Sequence, residues 1–93
     1  MLEKQIEKKV CDYAKNKQCL AYKFTSPARA AVPGRMFINP EGVIWFAEFK
    51  QTGKKPTPAQ DREIQRLRDR RVKVYVIDTV EDGCAMVDDM VSI

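Results

Sequence analysis

Apolar residues Leu2, Ile6, Val10, Tyr13 and Ala14 recur at helical spacing at the start of the chain, which predicts an amphipathic helix over residues 2 to about 16. Lys4, Lys8, Lys9 and Lys15 fall on its other face, as a solvated surface would. From Cys19 to Phe24 the pattern changes to alternation. A strand there puts Leu20, Tyr22 and Phe24 on one face and Ala21 and Lys23 on the other. Ser26 to Gly34, with two prolines and several small residues, keeps neither period and reads as a loop.

Two further strand-like runs, Arg35 to Asn39 and Val43 to Lys50, flank Asn39-Pro40-Glu41-Gly42 and predict a hairpin. Pro40 suits the second position of a type I turn, and Gly42 can take the positive-φ position of a three-residue loop ending in a bulge. With Asn39 across from Val43, residue numbers across the ladder sum to a constant, and position 34 falls opposite Glu48. Ile44, Phe46, Glu48 and Lys50 then share one face, while Val43, Trp45, Ala47 and Phe49 share the other.

Gln51 to Pro56, holding Gly53, Lys54 and Lys55, reads as an exposed basic turn. A second helix opens with Thr57 as N-cap, Pro58 at the first position and Gln60 at the third, a capping box. Ile64 and Leu67 predict its buried stripe, with Arg62, Arg66, Arg68, Arg70 and Arg71 facing solvent. Val72 to Ile77 is apolar except at Lys73, as in a strand covered on both sides. Thr79 caps a last helix with a stripe of Val80, Cys84, Val87 and Val91, in which Gly83 costs some propensity. Helix, strand, hairpin, helix, strand, helix, without repeat or linker, predicts one α/β domain over residues 1–93.

Composition narrows the chemistry. With 93 residues, 44% of them hydrophobic, one modest core is available and oligomerisation is a reasonable expectation. A net charge of +4 and a pI near 9.1 favour a polyanionic partner. They do not identify nucleic acid, since 17 basic residues stand against 13 acidic ones. Cys11, Cys19 and Cys84 form no CxxC pair and read as buried thiols in a reducing compartment rather than a zinc or disulfide framework. No apolar run approaches bilayer-spanning length and the N-terminus is charged, unlike a signal peptide, so a cytoplasmic protein without a membrane partner is expected. Histidine is absent. That excludes Ser-His-Asp and Cys-His catalysis, and leaves hydrolysis to carboxylates, lysine and a metal.

Glu48-Phe49-Lys50 alone would be weak evidence, because Glu-x-Lys triplets are common. Together, Val32 to Arg35, Phe46-Ala47-Glu48-Phe49-Lys50 and Gln60 resemble the virus-type replication-repair nuclease (VRR-NUC) family, a branch of the PD-(D/E)xK nucleases. In that family's pattern Pro-Asp-Arg precedes the hairpin, Glu-x-Lys ends its second strand and Gln opens the next helix. The resemblance also takes in the entry helix, Tyr22 to Pro27 and Val74-Tyr75-Val76. It implies a restriction-endonuclease-like αβββαβ core, a mixed sheet flanked by helices. It further implies a Mg2+- or Mn2+-dependent endonuclease acting on DNA, particularly branched or four-way (Holliday) junction DNA, as a homodimer, with a phage gene in a bacterial host as one setting.

The same resemblance implies a site. Glu48, the backbone carbonyl of Phe49 and a carboxylate of helix one would hold the metal; Glu3 matches the family's Glu-x-x-apolar opening better than Glu7, although both could simply pair with Lys8 or solvent. Lys50 would orient water and steady transition-state charge. Gln60 would lie beside it, although the capping box accounts for that residue by itself. Lys23, Ser26, Arg29, Arg35, Lys54 and Lys55 are the expected DNA contacts. One position departs: Gly34 stands where the family has a metal-binding Asp, leaving a vacant ligand position, while an ordinary explanation is a tight type II Pro33-Gly34 turn. Three functions remain open: an endonuclease weakened at position 34, a catalytically silent junction binder of the same fold, and an unrelated structural protein.

Overall fold

A computed structural model describes residues 1–93. Its elements are α1 (Glu3–Asn16), β1 (Leu20–Lys23), β2 (Arg35–Ile38), β3 (Ile44–Phe49), α2 (Pro58–Asp69), β4 (Val74–Ile77) and α3 (Val80–Val91). The hairpin forms where turn chemistry put it. Asn39 N–H donates to Val43 O, and Asn39 Oδ1 accepts from the N–H groups of Glu41 and Val43, each at 2.9 Å. Gly42 takes φ +87°, a left-handed conformation that glycine adopts without steric cost. Arg35 pairs with Ala47 and Phe37 with Trp45, so position 34 lies opposite Glu48 as expected. Asn39 Nδ2 also donates to Met90 O at 2.8 Å, tying the turn to α3.

The sheet order is β1-β2-β3-β4, antiparallel through β3 and parallel between β3 and β4. The parallel pair is joined through α2, the crossover such a pair requires. On one face Phe37, Trp45, Ala47, Phe49 and Ile77 meet Ile6, Val10 and Ala14 of α1 and Met86, Val87 and Met90 of α3. Trp45 stacks on Phe37 at 5.2 Å between ring centroids. The opposite face carries Glu48, and α2 covers only its β3–β4 end: Leu20, Tyr22 and Ile44 remain 50%, 52% and 49% exposed. No helix is long and apolar enough to cross a membrane.

Several expected faces shift. Leu2 is exposed, and the buried stripe of α1 starts at Ile6. In α3 the buried positions are Gly83, Met86, Val87 and Met90, rather than a stripe through Val80, Cys84 and Val91, which are half-buried. The reason is Gly83: a Cβ there would lie 2.2 Å from Val10 Cγ2, so its missing side chain lets α3 press against α1. In α2, Glu63 joins Ile64 in the interior while Leu67 is half-buried. Arg68 is exposed as expected, and its guanidinium also donates twice to Val74 O, at 2.6 and 3.1 Å. β4 is an edge strand, covered over Val74 but open at Val76, and so is not enclosed on both sides. Cys11 and Cys19 are buried as expected; Cys84 is partly exposed.

Candidate active site

Alternation along β3 sends Glu48 away from the apolar core, to the end of the strand that α2 overlies. Glu48 is only 7% exposed. Its Oε2 lies 3.5 Å from Lys50 Nζ and 3.4 Å from Gln60 Nε2. These are long contacts, so the buried carboxylate has neighbours but no tight partner. Burial pushes its pKa above the ordinary carboxylate value, against the opposing pull of Lys50 and of the backbone at Gly34; the charge of Glu3 adds to the rise. That last influence puts Glu3 within electrostatic reach. Thr52 N–H, just beyond β3, donates to Met1 O at 3.2 Å and holds the start of α1 at this end of the sheet.

The ladder explains why the Phe49 carbonyl is free. Because Asn39 N–H bonds to Val43 O, the hydrogen-bonded pairs of β2 and β3 fall at 37/45 and 35/47. The next such pair would join residues 33 and 49. Residue 33 is proline and has no N–H to offer. On the other side, Lys50 N–H already turns toward β4, donating to Ile77 O at 2.8 Å, so the Phe49 carbonyl points away from that strand. Phe49's side chain packs in the core, while its carbonyl oxygen is left without a ladder donor next to Glu48.

Gly34 is not in a type II turn. Its φ is not positive, and a Cβ built on it meets nothing within 4 Å. Neither turn geometry nor crowding therefore demands glycine, and the space opposite Glu48 is open. A cleft of about 370 Å³ is bordered by Gly34, Glu48, Gln60, Ser26 and Arg29, among others.

Comparison with known proteins decides the family. A solved structure described as "VRR_NUC domain" superposes over 97% of this chain and 94% of its own, with a TM-score of 0.81 and 31% identity. "Putative nuclease p44" of Acyrthosiphon pisum secondary endosymbiont phage 1 is 43% identical over 77 residues, 83% of either chain. The chain belongs to the VRR-NUC family. A scan against family models finds no match. The α/β architecture with a mixed four-stranded sheet is that of the VRR-NUC neighbour, and the domain is of a nuclease type.

Within this VRR-NUC fold the other expected residues divide into groups. Gln60 closes the cap and also faces Glu48: its Oε1 accepts from Thr57 N–H at 2.9 Å and its N–H donates to Thr57 Oγ1 at 3.2 Å, while Nε2 lies 3.4 Å from Glu48 Oε2. Thr57→Ala should lower stability by about 1 kcal/mol in chemical denaturation. Gln60→Glu keeps the cap, so a cleavage defect with unchanged stability would expose its second role, whereas parallel losses would reduce it to a cap. Ser26 and Arg29 border the cleft, but Arg29 is held by Glu63 at 3.1 Å. Arg35 lies on the opposite sheet face, ion-paired with Glu7 beside α1, and is turned away from Glu48. This pairing also separates the two helix-one carboxylates, engaging Glu7 and leaving Glu3 in no ion pair. Lys23 is exposed at the α1–β1 edge, and Lys54 and Lys55 are exposed in the turn after β3.

Glu63, which the sequence pattern does not single out, is buried on α2 and paired with Arg29 and Arg66. Its signal was its position three residues after Gln60, hence on the same side of α2, hidden in a stretch dominated by arginines. No three acidic, histidine or cysteine side chains converge anywhere in the chain. The donors at hand are Glu48, the free Phe49 carbonyl and nearby Glu3. Such a set fits a hard divalent cation that keeps much of its own hydration, as Mg2+ does when held by one or two carboxylates.

Proposed function

We propose that this domain is a metal-dependent DNA endonuclease selective for branched or four-way junction DNA, acting as a homodimer and slowed by the missing carboxylate at position 34. The observation that carries the reading is the meeting of Lys50 and Gln60 at one oxygen of buried Glu48, beside a carbonyl oxygen that Pro33 leaves free. Glu48, Glu3 and the Phe49 carbonyl would hold Mg2+ or Mn2+. Such an ion supplies Lewis-acid activation of the phosphate and a more acidic attacking water. Gln60 steadies the Glu48 carboxylate in its orientation. Lys50 brings an ammonium to the same point, where it offsets charge on the phosphate and orients water. Ser26, Arg29, Lys54 and Lys55 lie on segments around the cleft from which they could meet phosphates. The uncovered strip of Leu20, Tyr22 and Ile44 favours a partner chain over a free monomer.

A second reading, a catalytically silent junction binder, draws on Gly34, which offers no side-chain oxygen to a cation. One experiment separates them: a labelled four-way junction and its linear duplex, each with EDTA, Mg2+ or Mn2+. The expected result is tighter binding of the junction in EDTA and slow cleavage with the metals. Binding without any cleavage would favour the silent reading. Failure to bind either DNA would sink both.

A further inference from the structure

A second cleft, of about 430 Å³, lies between α1 and the paired ends of β1 and β2 at Lys23 and Arg35. Cations dominate its lining: Lys4, Lys8, Lys15, Lys23 and Arg35 against two carboxylates, Glu7 and Asp12. Both carboxylates are already engaged. Glu7 pairs with Arg35 at the cleft's inner wall, their side chains 22% and 19% exposed, and Asp12 pairs with Lys8 at 2.8 Å. Lys4, Lys15 and Lys23 take part in no ion pair. The cleft is therefore neither an internally neutralised surface nor a random scatter of lysines, but a channel with three unspent ammonium groups.

Its position adds direction. Lys4 follows Glu3 at the end of α1 nearest Glu48, and Lys23 pairs with Arg35, one position from Gly34. Lys15 lies at the far end of the helix, where Cys19 N–H bonds back to Ala14 O at 2.9 Å. At helical rise the distance from Lys4 to Lys15 is roughly 16 Å, the axial rise of about five nucleotides along one strand of a duplex. Cys11 is the cleft's one apolar lining residue. An open cleft lined by five cations along one face of α1 suits a phosphate backbone rather than an apolar ligand or a peptide side chain.

We infer that the α1–β1 cleft is a nucleic-acid backbone track, in which Lys4, Lys15 and Lys23 contact separate phosphates spread over about five nucleotides of a strand leading away from Glu48. The inference rests on the DNA reading above and assigns part of its binding surface to a side of the domain away from the cleft at Glu48. Each lysine neutralises one phosphate and releases condensed counterions. Arg35, held by Glu7, forms the wall and does not reach the strand.

The test measures binding of a labelled four-way junction by fluorescence anisotropy in EDTA over a salt series. It uses the parent chain, Lys4→Glu, Lys15→Glu, Lys23→Glu, the triple variant, and Lys9→Glu, which changes a lysine of α1 outside the cleft. Each single cleft variant should lower the slope of log affinity against log salt by about 0.9. The triple variant should weaken binding more than tenfold near physiological salt, while Lys9→Glu follows the parent. All these side chains are exposed, and an unchanged circular-dichroism melt verifies the fold. A triple variant matching Lys9→Glu in slope and affinity overturns the track while leaving the nuclease reading intact. A parent that binds no DNA overturns both. Competition by polyglutamate as strong as by DNA of equal charge would also overturn it, and give the cleft to an acidic protein segment.

Discussion

Gly34→Asp should raise cleavage of a four-way junction by on the order of a hundredfold at limiting Mg2+, equivalent to about 2.7 kcal/mol of barrier. The register puts position 34 directly across the ladder from Glu48, and the surrounding space is empty out to 4 Å from a built Cβ. Because φ at this residue is not positive, aspartate should fit without backbone strain. The added carboxylate would give a hard cation another charged oxygen, and affinity for such ions rises with ligand count and charge. Two carboxylates facing one another also repel without the ion. The variant should therefore be less stable than the parent in EDTA and gain more stability from added Mg2+. A further Lys50→Ala should remove the gain in cleavage. The decisive measurement follows the three proteins side by side over a magnesium series; an unchanged rate for Gly34→Asp would show that position 34 is no vacant ligand site.

The second large effect is at Glu48. Glu48→Gln should abolish cleavage, by roughly a thousandfold or more, yet stabilise the fold near neutral pH. Burial is the largest influence on this carboxylate and raises its pKa in the folded chain. As pH rises, the unfolded chain loses the proton first, so ionising Glu48 erodes stability through the interval from the ordinary carboxylate value up to the raised one. Above that interval the loss is complete. Glutamine never ionises, and its advantage over the parent should be smallest in acid and grow as pH passes through the interval. Thermal melts of both proteins from pH 4 to 8 in EDTA check the sign. Equal melting temperatures throughout, or a variant less stable at neutral pH, would mean that the Lys50 and Gln60 contacts outweigh the cost of burial. Saturating Mg2+ should narrow the gap at neutral pH by stabilising the parent alone.

Local chemistry is what the sequence determined by itself. Asn39-Pro40-Glu41-Gly42 specifies the turn through side-chain hydrogen bonds and a left-handed glycine, and the turn fixes the register that sets position 34 against Glu48. Thr57, Pro58 and Gln60 define the start of α2 through bonds spanning three residues, and strict alternation assigns Glu48 to one face and Trp45 to the other. All of these depend on neighbours close in the chain, so a linear pattern contains them. The relation to VRR-NUC proteins was legible for the same reason, since its motifs sit on these elements.

Only the tertiary structure decided which surfaces are shared. Periodicity names a helix face but not the neighbour that approaches it, and Gly83 became a buried contact because α1 crosses α3 at Val10. An apolar run such as Val74 to Ile77 has the composition of an enclosed strand, yet the length and position of α2 leave Val76 open. Charges are less legible still, because an arginine's role depends on which carboxylate lies within a few ångströms. Arg35 and Arg29 read alike in the chain, but one lies against Glu7 beside α1 and the other against Glu63 on α2. The freedom of the Phe49 carbonyl likewise arises between residues distant in sequence, where Pro33 meets the end of β3 and has no hydrogen to give.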